Sequence, residues 1–283
     1  STTFTKVSEE QLRAIANDEN RWSELPTVCT SGIIDMSQLF TAKVAFNENI
    51  ASWDVSSVTN MKWIFLDAND FNQDIGFWDV SSVTDMNGMF VNAIEFDQDI
   101  GSWDVSNVTD MEWIFRGALK FNQDISVWDV SKVIDMHQLL DNTSSFTTEN
   151  YDKLLQAWSE KLPVNTESDQ SNYRFGAENK KYSISSIPAR TAIVNKGWTI
   201  TDGGVDFSTA VVEIRGEDAI SVSAPRYYFD VVYTDEQGND LGNVPSLDEA
   251  KALDAQGNEI QGTQAITKDF DVDRWYLNMA EIR

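Results

Sequence analysis

The chain has 283 residues, 41% of them hydrophobic, and sets 46 acidic side chains against 21 basic ones for a formal net charge of −25. That balance excludes a nucleic-acid binder, which needs clustered lysine and arginine for phosphate contacts, and argues against docking on an anionic membrane. A single cysteine, Cys29, rules out an intrachain disulfide, and without a run of about 18 apolar residues no direct membrane insertion is expected.

The opening STTFTKVSEEQ does not read as a signal peptide. Within it Ser8-Glu9-Glu10-Gln11 has the spacing of a capping box, which predicts a helix over roughly Glu9–Asn17. Residues 1–30 are read as an N-terminal helical cap.

The chain then repeats itself. Phe71 to Phe90 reads FNQDIGFWDVSSVTDMNGMF; 25 positions earlier stands FNENIASWDVSSVTNMKWIF, and 25 later FDQDIGSWDVSNVTDMEWIF. Trp recurs at 53, 78, 103 and 128, Phe at 46, 71, 96, 121 and 146, and Met at 36, 61, 86, 111 and 136. A period of this size means a solenoid. Stacked coils place identical side chains about 4.8 Å apart if strands pair in parallel. Their apolar ladders then form one core that no single coil can bury alone. Five coils are read over residues 31–146.

Within a coil, Ile75, Trp78 and Val80 predict a short strand near Trp78–Val80, followed by a turn at Ser81–Ser82. Met86, Met89, Phe90, Ala93 and Phe96 are spaced by three and four, which predicts a short helix near Asn87–Asn92 capped by Asp85. The corresponding helix of the first coil is Met36–Phe40.

Residues 147–204 are read as the C-terminal cap of the array, with Thr148 capping a helix that presents Tyr151, Leu154, Leu155 and Trp158 on one side. After Asp202-Gly203-Gly204 the repeat signature vanishes. Residues 205–283 alternate apolar and polar, which predicts a small β-rich domain. DEQGND (Asp235–Asp240) and DAQGNE (Asp254–Glu259) read as turns rather than as calcium loops, because they lack the full EF-hand ligand set.

The repeat block, with the endings NYDKLLQAWSEKL, AENKKYS and ARTAIVNKGWTITDGG, resembles the 25-residue leucine-rich-repeat variant of the BspA-like bacterial surface proteins, also met in mycoplasma lipoproteins. The resemblance spans about residues 31–204. It implies an α/β solenoid, leucine-rich-repeat-like, with capping helices, and a secreted or surface-anchored protein associated with adhesion and protein binding. It offers no catalytic motif to carry over.

Three rows of aspartate run along the repeats: Asp54, Asp79, Asp104 and Asp129; Asp74, Asp99 and Asp124; and Asp35, Asp85, Asp110 and Asp135, with Asn60 in line. The first reading is that each carboxylate accepts a backbone N–H of the following residues in an Asx turn. The alternative is calcium held between coils, with Asp54, Asp79, Asp104 and Asp129 as metal candidates. Positions that vary between coils are those the core does not dictate. Trp63 and Trp113 stand two coils apart, with Gly88 between them predicted to leave a groove. Phe77 varies on the strand side. Large aromatics at such places suit protein or sugar contacts; the alternative is packing across the coil's own helix. His137 is the lone histidine, no zinc cluster occurs, and no nucleophile stands beside a base in a familiar motif. The expectation is therefore a non-enzymatic, extracellular or cell-surface, adhesin-type protein binding a protein or glycan of a host or neighbouring cell. The alternative is a structural subunit of a filament, surface layer or virion that self-associates through the solenoid and β module.

Overall fold

The computed structural model describes residues 4–166 and 173–206, Ile184 by its backbone alone. Of the rest it describes the backbone of four strands, 211–216, 226–234, 266–269 and 274–278. The chain divides into two compact units, Ser1–Val205 and Asp206–Arg283.

At the start of the first unit, strand β1 (Thr5–Lys6) pairs in parallel with β2 (Val28–Cys29). Between them lie helix α1 (Glu9–Ala16) and a 3-10 segment, Glu19–Thr27. The capping box is formed: Ser8 N donates to Gln11 Oε1 at 2.8 Å and Gln11 N to Ser8 Oγ at 3.2 Å. Leu12, Ile15 and Ala16 turn inward, and with Trp22 and Leu25 they cover the first apolar turn of the repeats.

The repeats hold themselves together through three sets of backbone hydrogen bonds between residues about 25 apart. One set runs Thr59 N to Ile34 O, Thr84 N to Thr59 O and Ile134 N to Thr109 O. A second runs Asp70 N to Val44 O, Glu95 N to Asn69 O and Lys120 N to Ile94 O. The third takes every other residue of the Met-rich stretch: Met36, Gln38, Phe40 and Ala42 donate to the carbonyls of Asn60, Lys62, Ile64 and Leu66, the same four bonds recur from residues 61–67 and 111–117, and three of them from 88–92. Parallel bridges link Asp35, Asn60, Asp85, Asp110 and Asp135 in series.

This placement differs from the sequence expectation in two respects. The stretch 87–92, predicted as a helix, is a run of β-turns, and so is 36–40. Spacing by three serves a β-turn as well as a helix: Leu39 N reaches Met36 O, Thr41 N reaches Gln38 O and Lys43 N reaches Phe40 O, each three residues on. Every second turn needs a left-handed residue, and Gln38, Ala42, Trp63, Asp67, Asn92, Trp113, Gln138 and Asn142 all have φ between 52° and 63°. Left-handed residues aim their N–H groups at the next segment instead of down a helix. The second difference is at Trp78–Val80, which is not a strand. There the bond to the preceding segment comes from a side chain: Trp53, Trp78, Trp103 and Trp128 donate Nε1–H to the carbonyls of Leu25, Ile50, Ile75 and Ile100 at 3.0–3.2 Å. The turn at Ser81–Ser82 is present.

The core is aromatic. Phe40, Phe65, Phe90 and Phe115 stack at 5.6–5.7 Å between centroids. Phe46, Phe71, Phe96, Phe121 and Phe146 stack at 5.8–6.1 Å. Within a segment the two columns meet at 3.7–3.9 Å. Trp53, Trp78, Trp103 and Trp128 thus each have an apolar body in the core and their one polar atom satisfied.

At the other end α2 (Thr148–Lys161) buries Tyr151, Leu154, Leu155 and Trp158, with Thr147 rather than Thr148 as its cap. Strand β3 (Arg174–Ala177) continues the ladder: Met136 N donates to Arg174 O and Gly176 N to Met136 O. A β-carbon on Gly176 would overlap Gln138 N, so the strand rests directly on the last repeat's backbone. Next come β4 (Tyr182–Ser183), α3 (Ile187–Asn195), β5 (Thr199–Asp202), parallel to β3, and β6 (Val205–Asp206) beside β4. In the second unit β7 (Val211–Gly216), β8 (Arg226–Thr234), β9 (Ile266–Asp269) and β10 (Arg274–Asn278) form an antiparallel sheet in the order β7-β8-β10-β9. The predicted turns at 235–240 and 254–259 lie outside the described residues.

Candidate functional site

Two of the aspartate rows lie exposed along the repeats and make that surface acidic. In the first row Oδ1 of Asp54, Asp79, Asp104 and Asp129 accepts the backbone N–H two residues on, from Ser56, Ser81, Ser106 and Ser131, at 3.0–3.2 Å. The Ser56 and Ser81 hydroxyls add bonds of 2.6 Å. Asp74, Asp99 and Asp124 do the same for residues 76, 101 and 126 at 3.0 Å. In the third row the acceptors are Asp35, Asn60, Asp85, Asp110 and Asp135, at 2.7–3.0 Å. Each carboxylate therefore closes an Asx turn. Hydrogen bonds from Ser106 and Ser131 hold the Asp104 and Asp129 carboxyls below the usual carboxylate range, with Lys132 and Lys161 nearby adding to the effect. For Asp35 burial opposes ionisation, but the bonds from Ser37, the Arg13 charge and Asn60 outweigh it. Among the described residues no group of three or more His, Cys, Asp or Glu side chains is placed to hold a metal ion.

Trp63 and Trp113 are half-buried and sit at left-handed turn positions, with φ of 56° and 63°. The groove predicted over Gly88 is filled. A β-carbon on Gly88 would overlap Trp63 Cδ1 and lie 2.6 Å from its Nε1, so the Trp63 ring occupies the room that glycine leaves. Lys62 Nζ covers the ring at 4.7 Å. Trp113 Nε1 is buried without a hydrogen-bond partner. Both rings therefore pack largely onto their own array.

Phe77 is different. It is 89% exposed, the most exposed of the large apolar residues described, and it neighbours fully stacked Trp78. Ser52, Ser102 and Val127 hold the equivalent positions, and Val127 is also exposed, at 64%. Phe77 lies between Asp74 and Asp79, both exposed. The structure thus brings Phe77 together with two aspartate rows and separates it from Trp63 and Trp113, which belong to the turn ladder.

Two features were missed in the sequence. One is a side-chain ladder: Oδ1 of Asn47, Asn72, Asp97 and Asn122 accepts the backbone N–H of residues 72, 97, 122 and 147 at 2.9–3.0 Å. Its signal was the Asn or Asp that follows Phe46, Phe71, Phe96 and Phe121. The other is a buried clasp in the C-terminal cap. Arg190 Nε donates to Asp202 Oδ2 at 2.7 Å, and the Tyr151 hydroxyl to the same oxygen at 3.1 Å. Burial first, and then the Asp202 charge, pushes the Tyr151 phenol well up. The Asp202 carboxylate is spent on holding α2, α3 and β5 together. Lys180, also buried, gives its Nζ to the carbonyls of Thr143 and Phe146, and burial lowers its pKa.

Residues 10–102 and 73–172 match the model of a family described as Mycoplasma protein of unknown function, DUF285. The two matches together span more than half of the chain. The chain belongs to the DUF285 family. Comparison with curated proteins and with solved structures gave no match.

Proposed function

We propose that this DUF285 chain is a non-enzymatic binding protein, secreted or exposed at a cell surface. In this reading its repeats form a leucine-rich-repeat-like solenoid of the BspA-like kind and recognise a protein or glycan ligand. The observation that carries the reading is Phe77: a large ring 89% exposed, at a position where the fold accepts serine, on a scaffold with its other aromatic columns buried. Exposed aromatics on a fixed backbone are hot-spot material. Backbone and side-chain ladders keep the surface preorganised, so little entropy is lost on binding. Adhesion to a host or neighbouring cell is the role that fits such a surface.

The test is a combined protein and glycan array, probed with the folded chain in calcium and again in chelator. A reproducible ligand whose binding drops in Phe77→Ser supports the reading. Silence of the folded chain across the array refutes it. A calcium-dependent ligand would move the aspartate rows from turn closure to ligand binding.

A second reading, a subunit that self-assembles into a filament or layer, is favoured by β5, which has β3 as its only neighbour among the described strands. Concentration-dependent association in sedimentation would support it.

A further inference from the structure

We infer that the surface around Phe77 docks a basic segment of a partner protein, one that carries apolar side chains between its lysines or arginines. The inference rests on reading the repeats as a binding scaffold, and adds the place and the chemistry of the partner.

Four exposed carboxylates stand in the two rows at this level of the repeats: Asp74 and Asp79 flank Phe77 in its own segment, Asp54 lies one repeat before Asp79 and Asp99 one repeat after Asp74. The two segments are closely stacked here, since a β-carbon on Gly76 would sit 2.5 Å from the backbone carbonyl oxygen of Asp99. None of the four forms an ion pair among the described residues. The rest of the two rows is served by the chain's own cations. Lys153 of α2 stands 3.9 Å from Asp124. Lys161 of α2 donates to the carbonyls of Ser126, Val127 and Trp128, and its charge helps hold the Asp129 carboxyl down. Lys132 acts likewise on Asp104. At the C-terminal end, then, a helix bearing lysines covers the aspartate rows, while around Phe77 the same rows are left open.

Charge complementarity selects the occupant. A second copy of the chain would set aspartate rows against one another, at −25 per copy, and like charges so juxtaposed cost binding energy. A neutral glycan would use the ring and gain nothing from the four charges. A basic, apolar-bearing peptide uses both.

The probe is a synthetic peptide of alternating lysine and leucine, titrated calorimetrically into the full chain. A lysine–serine and a glutamate–leucine peptide serve as controls. Phe77→Ser installs the residue found at the equivalent positions 52 and 102. Asp79→Asn with Asp99→Asn keeps the Oδ1 that closes each turn and removes only charge. The expected result is binding of the lysine–leucine peptide alone, about tenfold weaker in Phe77→Ser, with the double Asn variant weaker and less salt-sensitive. Equal binding of the lysine–serine peptide, or affinity untouched by Phe77→Ser, would show bulk charge attraction and overturn the inference. An array partner indifferent to Phe77→Ser would overturn it too, yet leave the scaffold reading standing. No ligand for either probe would overturn both.

Discussion

Phe77 and Trp78 are adjacent aromatics, one exposed and one buried, and replacing each in turn separates the ring the fold needs from the ring it does not. Trp78→Phe removes one hydrogen bond, Nε1–H to Ile50 O at 3.2 Å. That carbonyl keeps its turn bond from Trp53 N at 3.1 Å, so it is not stranded, and the loss is that of one neutral hydrogen bond, about 1 kcal/mol. The missing second ring leaves a void in a column whose members are under 5% exposed, which adds about 1 kcal/mol. The expected cost is about 2 kcal/mol. Phe77→Ser gives up no bond and almost no buried area, so it costs under about 0.5 kcal/mol, the scale of a surface substitution. Urea unfolding followed by tryptophan fluorescence reads the difference, because Trp275 is the only one of the ten tryptophans beyond residue 205. A constant slope with a shifted midpoint would identify a pure stability change. Equal midpoints for Trp78→Phe and wild type would refute the indole-to-carbonyl ladder as a source of stability. A large loss in Phe77→Ser would refute the claim that the fold does not need this ring.

Acid should loosen the repeats in a defined window. The Asp104 and Asp129 carboxyls are lowered in the folded chain. Their contribution is therefore complete above the unfolded value near 3.9 and fades as the pH falls through the lower folded values. Asp129→Asn, which keeps the turn acceptor, should flatten the midpoint-against-pH curve below about pH 4; an unchanged curve would count against it. Gly176→Ala should cost about 3 kcal/mol, since its β-carbon would overlap Gln138 N and lie 2.5 Å from Gln138 Cα, both backbone atoms; a neutral result would mean that β3 does not rest on the last repeat. Ala42→Gly should act in reverse. Ala42 is exposed at φ 60°, a conformation costing an L-residue about 1–2 kcal/mol, against roughly 0.5–1 kcal/mol for glycine's extra unfolded entropy. A rise in the urea midpoint is expected, and a fall would contradict the left-handed assignment.

How legible was all this in the sequence? The period, the buried columns and the capping box of α1 could be read because burial and capping leave fixed residue types at fixed spacings. Phe46, Trp53, Val55 and Met61 recur and are buried where they recur. The turns were mistaken for a helix because Met86, Met89, Phe90 and Ala93 satisfy both patterns. Only backbone sign separates the two, and the sequence held a clue: positions 67, 92, 117 and 142 read Asp, Asn, Gly, Asn, residue types suited to left-handed backbone and poor in a helix interior. The groove over Gly88 was misjudged because spacing shows that a side chain is missing and not which neighbour fills the gap. Phe77, Trp63 and Trp113 all stand at variable positions, and nothing in the sequence said that the ring of Phe77 would be exposed and those of Trp63 and Trp113 half-buried.

The left-handed residues also explain how a surface residue is free to vary. Gln38, Trp63, Gly88 and Trp113 each donate their own N–H to the next segment, at 2.8–2.9 Å. A single segment would carry the conformational cost with no return; the stack recovers it from a neighbour's carbonyl, as nearest-neighbour stability in repeat arrays requires. That coupling runs through the turn ladder and the buried tryptophans. At residue 77 the Phe side chain adds no bond to it, although Ser102 at the equivalent position donates its hydroxyl to the Gly76 carbonyl at 3.1 Å; Phe, Ser and Val are all accommodated there. Binding chemistry placed there can change without a penalty to folding, whereas chemistry placed at Trp63 or Trp113 would have to work against the ladder. If the repeats bind as proposed, the same logic predicts that family members differ in ligand by what they carry at this turn and keep the Asn or Asp of the side-chain ladder, which belongs to the stack alone.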